Sequence, residues 1–150
     1  MKAAIKVLVP DIPADLAIVV GEIVIRFGEL ERAIITALAR ITAKKEEDIL
    51  NEVGKYKKND SLGTLIRNAV KLLGSRYEWF DAQALRELKD RRNCIHDALM
   101  QEMDGTLTWQ SNSPDRKHRP VDHYELLALK ADVLRIIIQI NTGSLKSKVG

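Results

Sequence analysis

The chain has very little cysteine, proline or aromatic character. Its 150 residues include one cysteine and four prolines, and aromatic residues make up 5%. A single thiol, Cys94, cannot form an internal disulfide, and no charged-then-apolar leader with a small-residue cleavage site precedes the first helical pattern. Both absences argue against a disulfide-stabilised secreted domain, so we expect a cytoplasmic protein.

Long uncharged apolar runs are also absent. The longest apolar stretch, residues 16–27, is interrupted by a glycine and by Glu22 and Arg26, whereas a membrane-spanning helix needs about 20 nearly uncharged residues. We therefore predict no membrane helix and no membrane partner. Gly54 and Gly63 stand alone rather than in a phosphate-binding loop, so we expect no cofactor.

What remains is typical of a globular domain. Hydrophobic residues account for 45% of the chain and charged residues for 30%, close to the averages of folded proteins. This length fits one domain with one core over residues 1–150. The net charge of +3 is far below that of a basic nucleic-acid-binding arm, so charge alone does not decide whether the protein binds RNA.

Apolar residues recur at helical spacing in the first half of the chain. A long helix is predicted to begin at Asp11 or Pro13 and to end near Ala43, because its apolar residues follow one another at intervals of three and four. These residues are Leu16, Val20, Ile23, Phe27, Leu30, Ile34, Leu38 and Ile41. Two shorter helices follow, with capping and stop signals that place one at 45–53, closed by Gly54, and one from a cap at 59–61 to Gly74.

The second half of the chain predicts two more helices and a small ribbon. A fourth helix should run from Glu78 or Asp81 to about Gln101, and the turn dipeptide Asp104-Gly105 favours a β-hairpin after it. Asp122 caps a last helix that ends before Gly143. Its predicted core face is Tyr124, Leu127, Ala131, Leu134, Ile137 and Ile138. The predicted fold is therefore an all-α bundle of about five helices with a small β-hairpin after the fourth helix.

Residues 111–120 are predicted to form an exposed loop, because they are polar, contain two prolines and show no periodicity. The segment carries the basic side chains of Arg116, Lys117 and Arg119. Basic side chains contact the phosphates of nucleic acids. We therefore predict these three residues as RNA contacts.

One charged side chain falls on the apolar side of the fourth helix. Counting 100° per residue, Arg92 lies in the middle of a stripe formed by Leu85, Leu88, Ile95 and Leu99. An unpaired charge in a dry core costs several kcal/mol. Three explanations remain open: the stripe opens into a wet cleft, a carboxylate meets the guanidinium, or a second subunit covers it.

The segment around this arginine has the side chains needed to cleave RNA without metal. His96 lies one turn beyond Arg92, and an imidazole can take the proton of a ribose 2'-hydroxyl or protonate the leaving oxygen. Arg91 or Arg92 can hold the phosphate and stabilise its charge in the transition state, and Asn93 can orient either partner. The alternative to a catalytic site is a solvent-exposed Arg-Arg pair beside a histidine with a structural role.

The segment Arg91–His96 resembles the signature of HEPN domains, an arginine followed after four to six residues by a histidine. The stretch Phe27–Glu31 is also similar to the first long helix of bacterial members. The resemblance, which covers about residues 12–140, implies a metal-independent endoribonuclease of a toxin-antitoxin or phage-defence system. It further implies a homodimer that joins arginine and histidine from two subunits at the face bearing Arg92 and His96, and a possible cognate antitoxin.

Two departures from the family pattern affect this prediction. Arg92 stands where members commonly have a small polar residue, so either arginine can be the acting one, and Ala98 replaces the tyrosine that a partner nucleotidyltransferase modifies in some members. Because many relatives have lost catalysis, the alternative is a non-catalytic dimerisation or RNA-binding module.

A third hypothesis is a helical scaffold that binds only a protein partner. It would show an exposed apolar patch away from the segment Arg91–His96. No metal site is predicted, because His118 and His123 lack the further cysteines or paired histidines of a zinc centre. We expect Cys94 to be a plain core thiol.

Overall fold

The computed structural model describes residues 12–56, 61–101, 106–109 and 119–147. Within these ranges the chain forms five helices and three short strands. In chain order they are α1 (Ala14–Thr42), α2 (Glu46–Tyr56), α3 (Ser61–Leu73), α4 (Ala82–Ala98), β1 (Leu99–Gln101), β2 (Leu107–Trp109), β3 (Arg119–Pro120) and α5 (His123–Ser147). The predicted all-α bundle with a small β-hairpin after the fourth helix is confirmed. None of the helices in the described ranges has the length and apolar character that crossing a membrane requires.

α1 is the central helix and follows Pro13, as its apolar spacing predicts. It ends where Ala43 adopts a left-handed φ of 56°, a conformation that commonly terminates helices. Its buried residues recur mostly at intervals of three and four, so one side of the helix faces the core. They are Val19, Ile23, Phe27, Leu30, Ala33, Ile34, Ala37 and Leu38.

α1 and α5 form a parallel pair. Lys130 Nζ donates to Glu22 Oε2 at 2.6 Å near the start of both helices, and Arg40 Nη1 donates to Ser144 Oγ at 3.0 Å near their ends. Because the partners are separated by similar numbers of residues along the chain, 108 and 104, the two helices run in the same direction. The Ser144 side chain is completely buried between them.

α5 continues through Gly143 to Ser147, past the end predicted from the sequence. The reason is the indole of Trp79, which packs directly on the Gly143 backbone: a Cβ atom there would lie 2.1 Å from Trp79 Cγ. The indole Nε1 donates to Ser147 Oγ at 2.9 Å, and Gln139 Nε2 donates to the Trp79 carbonyl at 3.1 Å. Gly143 is therefore a packing glycine rather than a helix stop.

α4 runs antiparallel to α5, since Trp79 precedes α4 beside the end of α5 and Arg91 lies beside Asp132 near its middle. Asp81 caps α4 by accepting the backbone N–H of Ala84 at 3.0 Å. The helix ends at Ala98 instead of Gln101, because the next residues pair with β2 and form an antiparallel ribbon.

The role of Leu99, the end of α2 and the end of the loop 111–120 also differ from the prediction. Leu99 pairs with Trp109 in the ribbon and is not part of the α4 stripe. α2 continues through Gly54 to Tyr56, because its packing against α1 and α3 outweighs the helix cost of one glycine, about 1 kcal/mol. At the end of the predicted loop 111–120, Arg119 and Pro120 form the short strand β3 beside β2.

The predicted core face of α5 is largely wrong. Tyr124 and Ile138 are 77% and 63% exposed, Ala131 is also exposed, and Ile137 alone of the predicted set is buried. The buried face is instead Leu126, Leu129, Val133, Ile136, Ile137, Ile140 and Ser144. α5 has two apolar stripes, and the register with α1 buries the second of them.

Candidate functional site

The four residues predicted as catalytic lie in the last two turns of α4. Successive residues of a helix point about 100° apart, so Arg91 and Arg92 leave α4 in different directions. Arg91 extends towards α5 and Arg92 towards α1. The structure therefore separates the two arginines that the sequence leaves as alternatives.

Arg92 reaches a carboxylate of α1. Its Nη1 lies 3.4 Å from Glu31 Oε1, and the two side chains are 18% and 29% exposed. The guanidinium carbon also stands 5.8 Å from the centre of the Phe27 ring, within the range of a cation–π contact. The Nε atom is buried without an acceptor among the described residues.

A surface pocket of about 150 Å³ opens beside this guanidinium, between α1 and α4. Its walls are Ile23, Val24, Phe27, Gly28, Glu31, Arg92 and Ile95. Val24 is 54% exposed at the rim, and nothing approaches within 4 Å of a Cβ built on Gly28. Of the three explanations for a charge on the apolar stripe, the carboxylate and the cleft are therefore both observed.

Arg91 is held on the opposite side by α5. Its Nη1 donates to Asp132 Oδ2 at 2.7 Å, and both side chains are about two-fifths exposed. The ion pair does not line the Arg92 pocket. At this exposure an ion pair contributes little stability, about 0–1 kcal/mol, but it fixes the direction of the guanidinium.

Asn93 and His96 complete the predicted set. Asn93 is half-buried on the next position of α4. The backbone of His96 belongs to the last turn of α4, and its side chain lies outside the described part of the structure. Helix geometry sets the His96 position about 40° from Arg92 and about 140° from Arg91 around the axis. Arg92 is therefore the arginine that shares a side of α4 with His96.

Arg119 of the predicted RNA contacts is engaged within the chain. Its guanidinium makes two hydrogen bonds to the Glu125 carboxylate, one of 2.9 Å, and stands 5.9 Å from the centre of the Trp109 ring. These hydrogen bonds lower the pKa of Glu125 and raise that of Arg119. Arg116 and Lys117 lie outside the described residues, so the structure does not place them.

Sequence reasoning did not assign partners to the arginines. Glu31 lies within the Phe27–Glu31 stretch that carries the second part of the resemblance, and this stretch supplies Phe27, Gly28 and Glu31 to the pocket. Nothing in the sequence identifies Asp132 as the partner of Arg91, since it is one acidic residue on an amphipathic helix. Cys94 is exposed, contrary to the expectation of a core thiol, because it points away from the α4 stripe.

The part of the chain that the structure describes contains no group of three His, Cys, Asp or Glu side chains that could hold a metal ion. No protein-family model, curated protein or solved structure matches the chain. The likeness to HEPN domains therefore depends on the segments 27–31 and 91–96 alone.

Proposed function

We propose that the pocket beside Arg92 is the centre of a HEPN-like, metal-independent endoribonuclease that acts as a homodimer. The observation that carries this proposal is the meeting of the two separate segments on which the resemblance depends. Phe27, Gly28 and Glu31 line the same pocket as Arg92, and His96 follows one turn later on α4.

The chemistry follows from the side chains of this segment. The ribose 2'-hydroxyl loses its proton to a base and attacks the adjacent phosphorus, and the 5'-oxygen leaves after it is protonated. Arg92, held by Glu31 beside the pocket, would stabilise the charge that grows on the phosphate oxygens. The products would be a 2',3'-cyclic phosphate and a free 5'-hydroxyl.

A homodimer supplies what one chain lacks. Cleavage needs a base and an acid, and the candidate segment of each chain offers one histidine. A second copy that packs against the face bearing Arg92 would bring another His96 to the same phosphate. The open rim at Val24 and Gly28 supports this arrangement, because it leaves room for a partner at the pocket mouth.

The test is cleavage of a labelled single-stranded RNA of mixed sequence, in buffer containing EDTA. We expect cleavage by the wild type, and a loss of about 100-fold or more in His96→Ala and Arg92→Ala. His123→Ala and Arg86→Ala serve as controls. His123 lies at the start of α5, and Arg86 is an exposed arginine of α4. Undiminished cleavage by folded His96→Ala protein would refute the proposal.

The second candidate is a non-catalytic dimerisation or RNA-binding module, and both ion pairs favour it. Arg91 and Arg92 each meet a carboxylate within the chain, as expected for arginines with a structural role. This candidate predicts no cleavage of RNA by the wild type, and a binding constant that falls as salt rises if RNA binds at all. A cognate antitoxin remains a prediction of the resemblance.

A further inference from the structure

The side of α5 that faces away from the core carries a second apolar stripe. Tyr124, Leu127, Ala131, Leu134 and Ile138 follow one another at intervals of three, four, three and four, the spacing by which one helix packs along another. Tyr124, Ala131 and Ile138 are exposed, and the two leucines are half-buried. We call these five residues the outer face.

α1 extends this apolar surface. Ile18 and Ile25 are 61% and 63% exposed and lie two turns apart on one side of α1. The ion pair between Glu22 and Lys130 fixes the register, so the two isoleucines are level with the middle of the outer face. Since the core lies on the other side of this ion pair in both helices, Ile18 and Ile25 flank the outer face.

We propose that the outer face, with Ile18 and Ile25, is an interface for a second copy of this chain, with the two α5 helices antiparallel. Its location differs from that of the Arg92 pocket, which is lined by α1 and α4. The proposal does not depend on ribonuclease activity. It matches the apolar patch that a protein-binding scaffold would show.

The exposed area is large enough for a dimer. Tyr124, Ile138, Ile18 and Ile25 are each more than 60% exposed, and together they present on the order of 600 Å² per copy. A standard interface buries about 800 Å² per partner. Leu127, Ala131 and Leu134 lie between these side chains and would supply the remainder, while soluble monomers rarely expose a contiguous apolar patch above a few hundred Å².

The order of side chains favours antiparallel pairing. In a parallel pair Ala131 would face the partner's Ala131 and leave a gap in the centre. In an antiparallel pair Ala131 faces the partner's Leu134, and Leu127 faces the partner's Ile138, so no layer consists of two alanines.

The helix dipoles favour the same direction. Antiparallel pairing of the two α5 helices places each partly positive N-terminus near the partly negative C-terminus of the partner, whereas parallel pairing places like ends together. A second copy of the chain therefore complements the outer face in side-chain order and in helix direction.

The test is the mass of the full chain in solution, measured by sedimentation equilibrium from about 1 to 200 µM, a range that brackets micromolar affinities. Ile138→Asp should halve the mass of the wild-type assembly. Leu50→Asp is the matched control, because Leu50 is also an exposed apolar residue, at 52%, but belongs to α2; its mass should not change. Ile138→Lys should repeat the effect of the acidic variant.

Disulfide formation tests the orientation. In a Cys94→Ser background, a mixture of Ala131→Cys and Leu134→Cys chains should form a mixed disulfide dimer faster than either variant alone. A faster disulfide between two Ala131→Cys chains would overturn the antiparallel arrangement.

Two results would overturn the interface itself. These are a wild type that stays monomeric over the whole range and an Ile138→Asp assembly of unchanged mass. RNA cleavage by the same proteins separates the two proposals. A halved mass without wild-type cleavage contradicts only the ribonuclease proposal, and wild-type cleavage with an unchanged mass contradicts only the interface.

Discussion

The Arg92 guanidinium lies 3.4 Å from the Glu31 carboxylate, and this contact joins α4 to α1 across 61 residues of sequence. The pair is mostly buried, whereas Arg91 and Asp132 are about two-fifths exposed. The two neighbouring arginines therefore differ in the environment of their charges.

Glu31→Gln should destabilise the fold by about 1–3 kcal/mol, because it leaves the Arg92 charge in a mostly buried site without an anionic partner. Asp132→Asn should cost less than about 1 kcal/mol, since its pair with Arg91 is solvated. Urea unfolding followed by circular dichroism measures both. A double-mutant cycle with Arg92→Met isolates the pair from the other interactions of Glu31. Equal losses for the two acidic residues would contradict this ranking.

Gly143→Ala should destabilise the protein by about 1–3 kcal/mol, because the new methyl group would overlap the Trp79 indole. Gly21→Ala should have the opposite sign and stabilise α1 by up to about 1 kcal/mol, since nothing lies within 4 Å of its Cβ position. Thermal melting of the two variants beside the wild type gives the comparison. A gain in melting temperature for Gly143→Ala would show that Trp79 can move away at little cost.

Acid should weaken two ion pairs in a predictable pH range. A hydrogen bond from Lys130 lowers the pKa of Glu22, and one from Arg119 lowers the pKa of Glu125, each from an ordinary value of 4.5. A carboxyl whose pKa is lower in the folded state stabilises the fold above its unfolded pKa, and this contribution is lost as pH falls through the folded pKa. The melting temperatures of Glu22→Gln and Glu125→Gln should therefore lie below that of the wild type at pH 7.

The same difference in melting temperature should disappear below the folded pKa values, and added salt at pH 7 should reduce it because both pairs are partly exposed. Melting the three proteins between pH 7 and pH 2.5 checks the prediction. A difference that stays constant over this range would mean that packing or local propensity, rather than charge, produces it.

If the protein binds RNA, the three predicted basic contacts should not contribute equally. Arg116→Ala and Lys117→Ala should each reduce the slope of log affinity against log salt by about 0.7, the value for one phosphate contact with a single strand. Arg119→Ala should change this slope less, because Glu125 and Trp109 already hold its guanidinium. Fluorescence anisotropy with a labelled single-stranded RNA at several salt concentrations measures the slopes. A larger change for Arg119 than for the other two would show that it exchanges Glu125 for phosphate.

Periodicity predicted the existence and order of the helices, because each must bury an apolar side. It did not determine which side of α5 is buried. Leu126, Leu129, Val133, Ile136 and Ile140 recur at intervals of three and four, as do the residues of the outer face. Which stripe is buried depends on how α5 packs along α1. The ion pair between Glu22 and Lys130 shows this register in the structure, but the sequence does not.

The candidate site shows the same limit. The position of Arg92 on an apolar stripe was enough to predict a cleft, a carboxylate or a covering subunit. The identity of the carboxylate was not predictable, because Glu31 is separated from Arg92 by 61 residues. The α4 end at Ala98 likewise depends on β2, a partner strand that local sequence cannot specify.

Trp109 pairs with Arg119, so the basic segment between them begins and ends at neighbouring positions of the ribbon. The two flanking strands are held together by backbone hydrogen bonds, and Arg119 is attached to α5 through Glu125. Both ends of the 110–118 segment are therefore attached to the ribbon, and the ribbon is in turn attached to the first turn of α5.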